Sequence, residues 1–156
     1  MAGSPQQQQY VQLGGAIGGN GGGSEGVFVA IVADVGYRIY KSWWLHAEVM
    51  AGESVNDPHG NKFDGTLLHI RTGGEWRHRI FFVGTDLGYA RERANGTLTY
   101  SSFVAALRVG LDLRFGDVHL RPGFELFAGD KLPGEPTIGG KDYEGGDVSL
   151  AVAYAW

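Results

Sequence analysis

Eight stretches of this chain alternate apolar and polar residues with a period of two, the spacing of β-strands whose successive side chains point to opposite faces. They fall at roughly 9–18, 26–40, 43–54, 64–77, 79–93, 97–115, 117–129 and 146–156. The last is the plainest: Val148, Leu150, Val152, Tyr154 and Trp156 form one stripe, with Ser149, Ala151, Ala153 and Ala155 behind it. Across the other seven stretches one parity collects residues such as Leu13, Ile31, Val49, Ile70, Leu87, Leu107, Val109 and Phe124, and it contains no charge over 11–17, 27–39, 43–49, 68–76, 81–89, 107–115 and 118–126. The opposite parity carries Asp34, Arg38, His46, Glu48, His69, Arg71, Glu75, Asp86, Arg108, Asp112, Arg114, His119, Arg121 and Glu125. Gly14, Gly36, Gly84, Gly88, Gly110 and Gly123 are interleaved with them.

The connections alternate in length. Residues 40–43, 77–79 and 115–118 are tight turns, and the Gly116-Asp117 pair suits a two-residue hairpin. The segments 18–26, 53–63, 91–96 and 130–146 are long and polar. An even number of strands, with short turns at one end and long loops at the other, predicts an all-β, eight-stranded antiparallel up-and-down barrel.

Such strands can turn either face inward. A soluble barrel hides the apolar parity, whereas a transmembrane barrel shows it to lipid and turns the charges into the lumen. Three features favour the second arrangement. The bore of an eight-stranded barrel barely admits its own side chains, and the apolar parity is too bulky for it. The charged parity is diluted with glycine, which long side chains need as neighbours in a narrow space. Its six carboxylates (Asp34, Glu48, Glu75, Asp86, Asp112, Glu125) nearly balance its five arginines (Arg38, Arg71, Arg108, Arg114, Arg121), as buried charges require partners. The lysines Lys41, Lys62, Lys131 and Lys141 all fall in turns or loops. The predicted fold is therefore a transmembrane barrel with a polar, charge-paired interior.

Aromatic residues support that orientation. Tyr40, Trp43, Trp76, Phe81, Phe115 and Trp156 gather near the short turns, where a membrane–water boundary is expected to hold them in a belt. A second group, Phe28, Tyr89, Tyr100 and Phe103, lies toward the long loops, while Trp44 points inward by parity.

Composition narrows the rest. At 156 residues the chain reads as a leader over 1–8 and one barrel domain over 9–156. The absence of cysteine removes disulfides and thiolate metal sites, and a net charge of -4 gives no reason to expect nucleic acid as a partner. Glycine at 27 residues argues against helices, and no apolar run is long enough for a membrane helix. No signal peptide opens the chain, so an outer-membrane location implies a mature form.

The strand count, turn asymmetry, aromatic belts and the ending Val152-Ala153-Tyr154-Ala155-Trp156 resemble the small outer-membrane barrels of the OmpA transmembrane domain, OmpX and NspA kind. The resemblance covers residues 9–156 and implies a monomer in the bacterial outer membrane. It also implies recognition of the carboxyl-terminal strand by the barrel-assembly machinery, although Phe is the usual last residue there and this chain has Trp156. It leaves function open. The expectation is a non-enzymatic anchor or surface scaffold acting through its long loops, without cofactor, metal or catalytic residues. Alternatives are a narrow ion-conducting pore, a lipid-modifying barrel enzyme using, for example, Ser149 with His69, and a soluble lipocalin-like carrier. The loop over 53–63, with Asp57, Pro58 and His59, and the loop over 130–146, with Asp142, Tyr143 and Glu144, are the candidate contact surfaces.

Overall fold

The computed structural model describes residues 7–21, 26–55, 65–94, 98–131 and 143–156. Within them run β1 (Gln9–Gly21), β2 (Gly26–Tyr40), β3 (Trp43–Val55), β4 (Gly65–His78), β5 (Phe81–Ala94), β6 (Leu98–Leu111), β7 (Leu113–Phe115), β8 (Val118–Lys131) and β9 (Tyr143–Ala155). Each strand is antiparallel to its neighbours, and β1 pairs with β9 to close the sheet on itself. β6 and β7 lie end to end along β8, in one register that runs from Gly110↔Gly123 to Leu113↔Leu120. The nine segments therefore make eight staves of a closed up-and-down barrel, as the alternation predicts.

The one interruption has a local cause. Continuing the register puts Leu111 across from Pro122, which has no N–H to give to the ladder. The neighbouring Asp112 N–H turns the other way and donates to the Ile80 carbonyl at 2.7 Å.

Three two-residue turns, 41–42, 79–80 and 116–117, join the staves at one end. Their first residues have left-handed backbones: Lys41 at φ 43°, Arg79 at 55° and Gly116 at 69°. Glycine takes that conformation freely, but lysine and arginine do so rarely. The start of β1 and Trp156 meet here too, since Gln8 and Gln9 donate to the Trp156 carbonyl at 2.8 and 3.1 Å. The far ends of the staves lead into residues 22–25, 56–64, 95–97 and 132–142. These tips of the predicted long loops lie outside the described residues, as do residues 1–6 of the predicted leader.

The two faces separate as the parities do. Leu13, Ile31, Leu87 and Val148 are 63%, 67%, 69% and 63% exposed on the outside, while nearly every charged partner on the alternate positions is buried. Tyr40, Trp43, Trp76, Phe81, Phe115 and Trp156 all point outward near the turns. Phe28, placed by the sequence reading in an outer group with Tyr89 and Phe103, is instead fully buried inside. It occupies an even-numbered, inward position of β2, so the strand's own alternation accounts for it.

Inside, large and absent side chains face each other across the ladder. Tyr10 pairs with Gly36, Phe28 with Gly18, Phe82 with Gly110 and Phe127 with Gly145, and a Cβ on any of these glycines would collide with the ring. The same rule serves the charges, with Gly88 opposite Arg71, Gly73 opposite Asp86 and Gly84 opposite Arg108. A Cβ at Gly88 would strike the Ile70 carbonyl oxygen and come within 2.7 Å of the Arg71 Cα. Gly88→Ala is therefore expected to lower stability by about 1–3 kcal/mol in a denaturant titration, as overpacking does.

Candidate functional site

The inward side chains stack in tiers along the barrel axis. Nearest the turns, Trp44 on β3, Tyr10 on β1 and Arg77 on β4 form a floor. The Arg77 guanidinium lies 4.1 Å from the Trp44 ring centre and 4.4 Å from that of Tyr10, and it pairs with Glu75. An arginine shielded by two ring faces gains cation–π attraction where few water molecules compete. Arg121 on β8 lies over Phe82 at 4.4 Å, donates to Gln12 at 2.7 Å and pairs with Glu75 at 2.7 Å. Beside it Asp112 receives His119 Nδ1 at 2.7 Å and Arg114 at 3.0 Å.

Arg108 on β6 is the hub of the middle tier. Its guanidinium nitrogens lie 3.2 Å from Glu48, 3.3 Å from Glu75, 3.6 Å from Asp34 and 3.7 Å from Asp86. His46 stands between Asp34 and Asp86, 3.5 and 2.7 Å away, and the Tyr10 hydroxyl donates to Asp34 at 2.9 Å. One tier further from the turns, Arg71 bridges Glu48 and Glu125.

Toward the long loops the lumen becomes apolar. Phe28, Val32, Met50, Leu67, Val104, Phe127 and Tyr143 form a buried cluster with four alanines. His69 belongs to it: its Nε2 is 2.9 Å from the Tyr143 hydroxyl, and its ring meets the Phe127 ring edge-on at 5.2 Å. Beyond the cluster, Ser54 donates to Glu92 at 2.9 Å.

Of the lumen residues predicted from sequence, Asp34, His46, Glu48, Arg71, Glu75, Asp86, Arg108, Asp112, His119, Arg121 and Glu125 are all buried in this network. Three predicted members lie elsewhere. His69 sits in the apolar cluster rather than among charges. Arg38 is half-buried at the turn end, donating to the Lys41 carbonyl, and the Arg114 side chain is 48% exposed. Parity gives the face of a residue but not its depth.

Arg77, Glu92 and Asp147 are buried here as well, although they are not among the lumenal charges expected from sequence. Their signal was available: each continues the inward parity of its strand by one or two residues. With them, the buried set among the described residues holds eight carboxylates (Asp34, Glu48, Glu75, Asp86, Glu92, Asp112, Glu125, Asp147) against four arginines. The near balance expected from sequence therefore tilts to acid. Neutral or histidine donors serve part of the excess: Ser54 at Glu92, Tyr10 and His46 at Asp34, and His119 at Asp112. Tyr143, assigned by the sequence reading to a loop, is likewise inside the barrel.

These side chains fill the bore. The space left between Gln12, Glu48, Arg71, Arg108, Arg121 and Glu125 is about 30 Å³, room for roughly one water molecule. The polar neighbours of the lumenal histidines are carboxylates and a phenol, so the geometry ties them to the packing of the lumen.

No family model and no curated relative matches the chain. Solved structures do. Neisserial surface protein A (NspA) superposes with a TM-score of 0.75 at 16% identity, over 95% of this chain and 97% of that one. Ail, the attachment invasion locus protein of Yersinia pestis, gives 0.63 at 12% identity, over 97% and 100%. The N-terminal β-barrel domain of Pseudomonas aeruginosa OprF gives 0.55 at 14% identity, over 96% and 100%. Ail has also been solved as an outer-membrane protein in a phospholipid bilayer nanodisc. The chain thus has the eight-stranded fold of the small outer-membrane β-barrels, and at these identities the likeness is one of fold.

Proposed function

We propose that this protein is a monomeric, non-enzymatic anchor of the bacterial outer membrane that holds its long loops at the cell surface. The observation that carries the reading is the pairing of a largely apolar outer face, uncharged except at the loop-side ends of the staves, with an ion-paired lumen. Lipid satisfies the first, while the second replaces the hydrophobic core of a soluble protein. In this reading Tyr40, Trp43, Trp76, Phe81, Phe115 and Trp156 sit at the membrane boundary on the turn side, and β9 is the strand presented to the barrel-assembly machinery. No step of the reading needs a cofactor, and the contacts with outside partners belong to the loops over 53–63 and 130–146.

Two measurements test this function. In planar bilayers the protein is expected to give no steady conductance, because Arg71, Arg108 and Arg121 with their carboxylates cross the bore; stable single-channel steps would favour a pore. Trimming residues 56–64 and 132–142 to short turns is expected to leave refolding intact and abolish binding to host or neighbouring cells. Full retention of binding by the trimmed barrel would place the working surface elsewhere.

A further inference from the structure

The end of the barrel opposite the long loops opens into a bowl of about 500 Å³, within the size range of ligand sites. Arg38, Lys41, Arg79 and Arg114 contribute to its wall, Arg77 and His119 to its floor, and Asp117 is the one carboxylate among its lining residues. Two features go beyond a local excess of positive charge. Arg77 and His119 are both more than nine-tenths buried, and each keeps one nitrogen, Nη2 and Nε2, with no hydrogen-bond partner. Buried polar atoms are ordinarily satisfied, so these two nitrogens, just beneath the surface of the bowl, leave unused hydrogen-bonding capacity at its floor. Lys41 and Arg79 also occupy left-handed turn positions, which glycine or asparagine fill more easily, and both residues line the same bowl, the Lys41 ammonium lying at its rim 5.0 Å from the Tyr40 ring centre.

We propose that this mouth binds a phosphate-bearing anion, with Arg77 and His119 contacting it from the floor and Arg38, Lys41, Arg79 and Arg114 from the wall. Guanidinium groups match the paired oxygens of phosphates and carboxylates alike. The spread of the donors decides between them. Arg77 and His119 lie at the floor and the other cations at the wall, and the Nδ1 of His119 already faces Asp112. A phosphate offers oxygens on every side, whereas a carboxylate brings too few oxygens for donors on several sides. The same chemistry fits a free phosphate compound or the headgroup of an inner-leaflet phospholipid.

The test uses the full chain refolded in non-ionic maltoside micelles, titrated at near-physiological ionic strength with inorganic pyrophosphate. Heat of binding and the fluorescence of tryptophan, including Trp44 in the bowl, are the readouts. Saturable binding is expected. It should weaken at least about tenfold when Lys41→Asn and Arg79→Asn are combined, through loss of two charge-assisted contacts. Asparagine tolerates both backbones, so this variant keeps the fold; His119→Gln is the floor variant and should weaken binding likewise. Short-chain phosphatidic acid binding more tightly than pyrophosphate assigns the site to a lipid headgroup, and the reverse order to a soluble phosphate. No saturable binding by the unmodified chain, equal affinity in the Lys41/Arg79 variant, or glutarate binding as well as pyrophosphate would each overturn the proposal.

Discussion

Arg108→Ala is expected to destabilise the barrel by about 3–5 kcal/mol, more than loss of any other single contact in the lumen. The arginine is buried and lies within 4 Å of four carboxylates contributed by β2, β3, β4 and β5. Its removal leaves Asp34 and Asp86 with the His46 ring nitrogens as their shared partner and deprives Glu48 and Glu75 of one arginine each. Unfolding in urea from micelles measures the loss. Arg114→Ala is the internal comparison, because that side chain is half exposed and its pair with Asp112 is of the kind worth about 0–1 kcal/mol. Equal effects at the two positions would mean that the lumenal charges are solvated and that the network contributes little.

Moving the same charge by one residue reverses its effect. Leu107→Arg places a guanidinium on the outer face, where Leu107 is 48% exposed and flanked across the ladder by Thr85 and Leu126. Near the middle of a bilayer this substitution is expected to cost about 2–4 kcal/mol, and nearer the boundary markedly less. Val118→Arg, across the ladder from Phe115 in the turn-side belt, should cost less than Leu107→Arg. The gradient matters more than either value. A soluble barrel with an exposed apolar face would accept both arginines at almost no cost, and so would a protein whose outer face meets water.

The alternation that made the staves legible is the one lipid enforces. Outward positions stay uncharged from Val27 to Ile39 and from Val148 to Trp156, so the period of two survives there, while Glu53, Arg91, Arg93, Asp130 and Glu144 take outward positions only at the loop-side ends. Where the staves leave that constraint, the signal fades. The strands run on past the predicted limits through Gly19–Gly21 in β1 and Tyr143–Gly145 in β9, in glycine-rich stretches whose pairing owes more to the neighbouring strands than to their own residues. Asp147 and Glu92 lie inside the predicted stretches but next to the long loops, where inward parity alone does not tell a lumenal charge from a loop residue. The apolar cluster was hidden for another reason. Phe28 and Phe127 have inward parity, but an aromatic near a strand end reads equally as a membrane belt, and only the glycines opposite them, Gly18 and Gly145, mark them as lumenal. The break at Asp112 follows from Pro122, which matters only once the register between β6 and β8 is known.

The orientation of the two faces is the central claim, and spin labels on this cysteine-free chain test it directly. A single cysteine at Leu107, Val109 or His78 carries a nitroxide into lipid or into the turn region, and its collisions with dissolved oxygen and with a water-soluble nickel chelate are compared in reconstituted vesicles. The account predicts high oxygen and low nickel accessibility at Leu107 and Val109, reversed at His78. Nickel accessibility at Leu107 equal to that at His78 would contradict it.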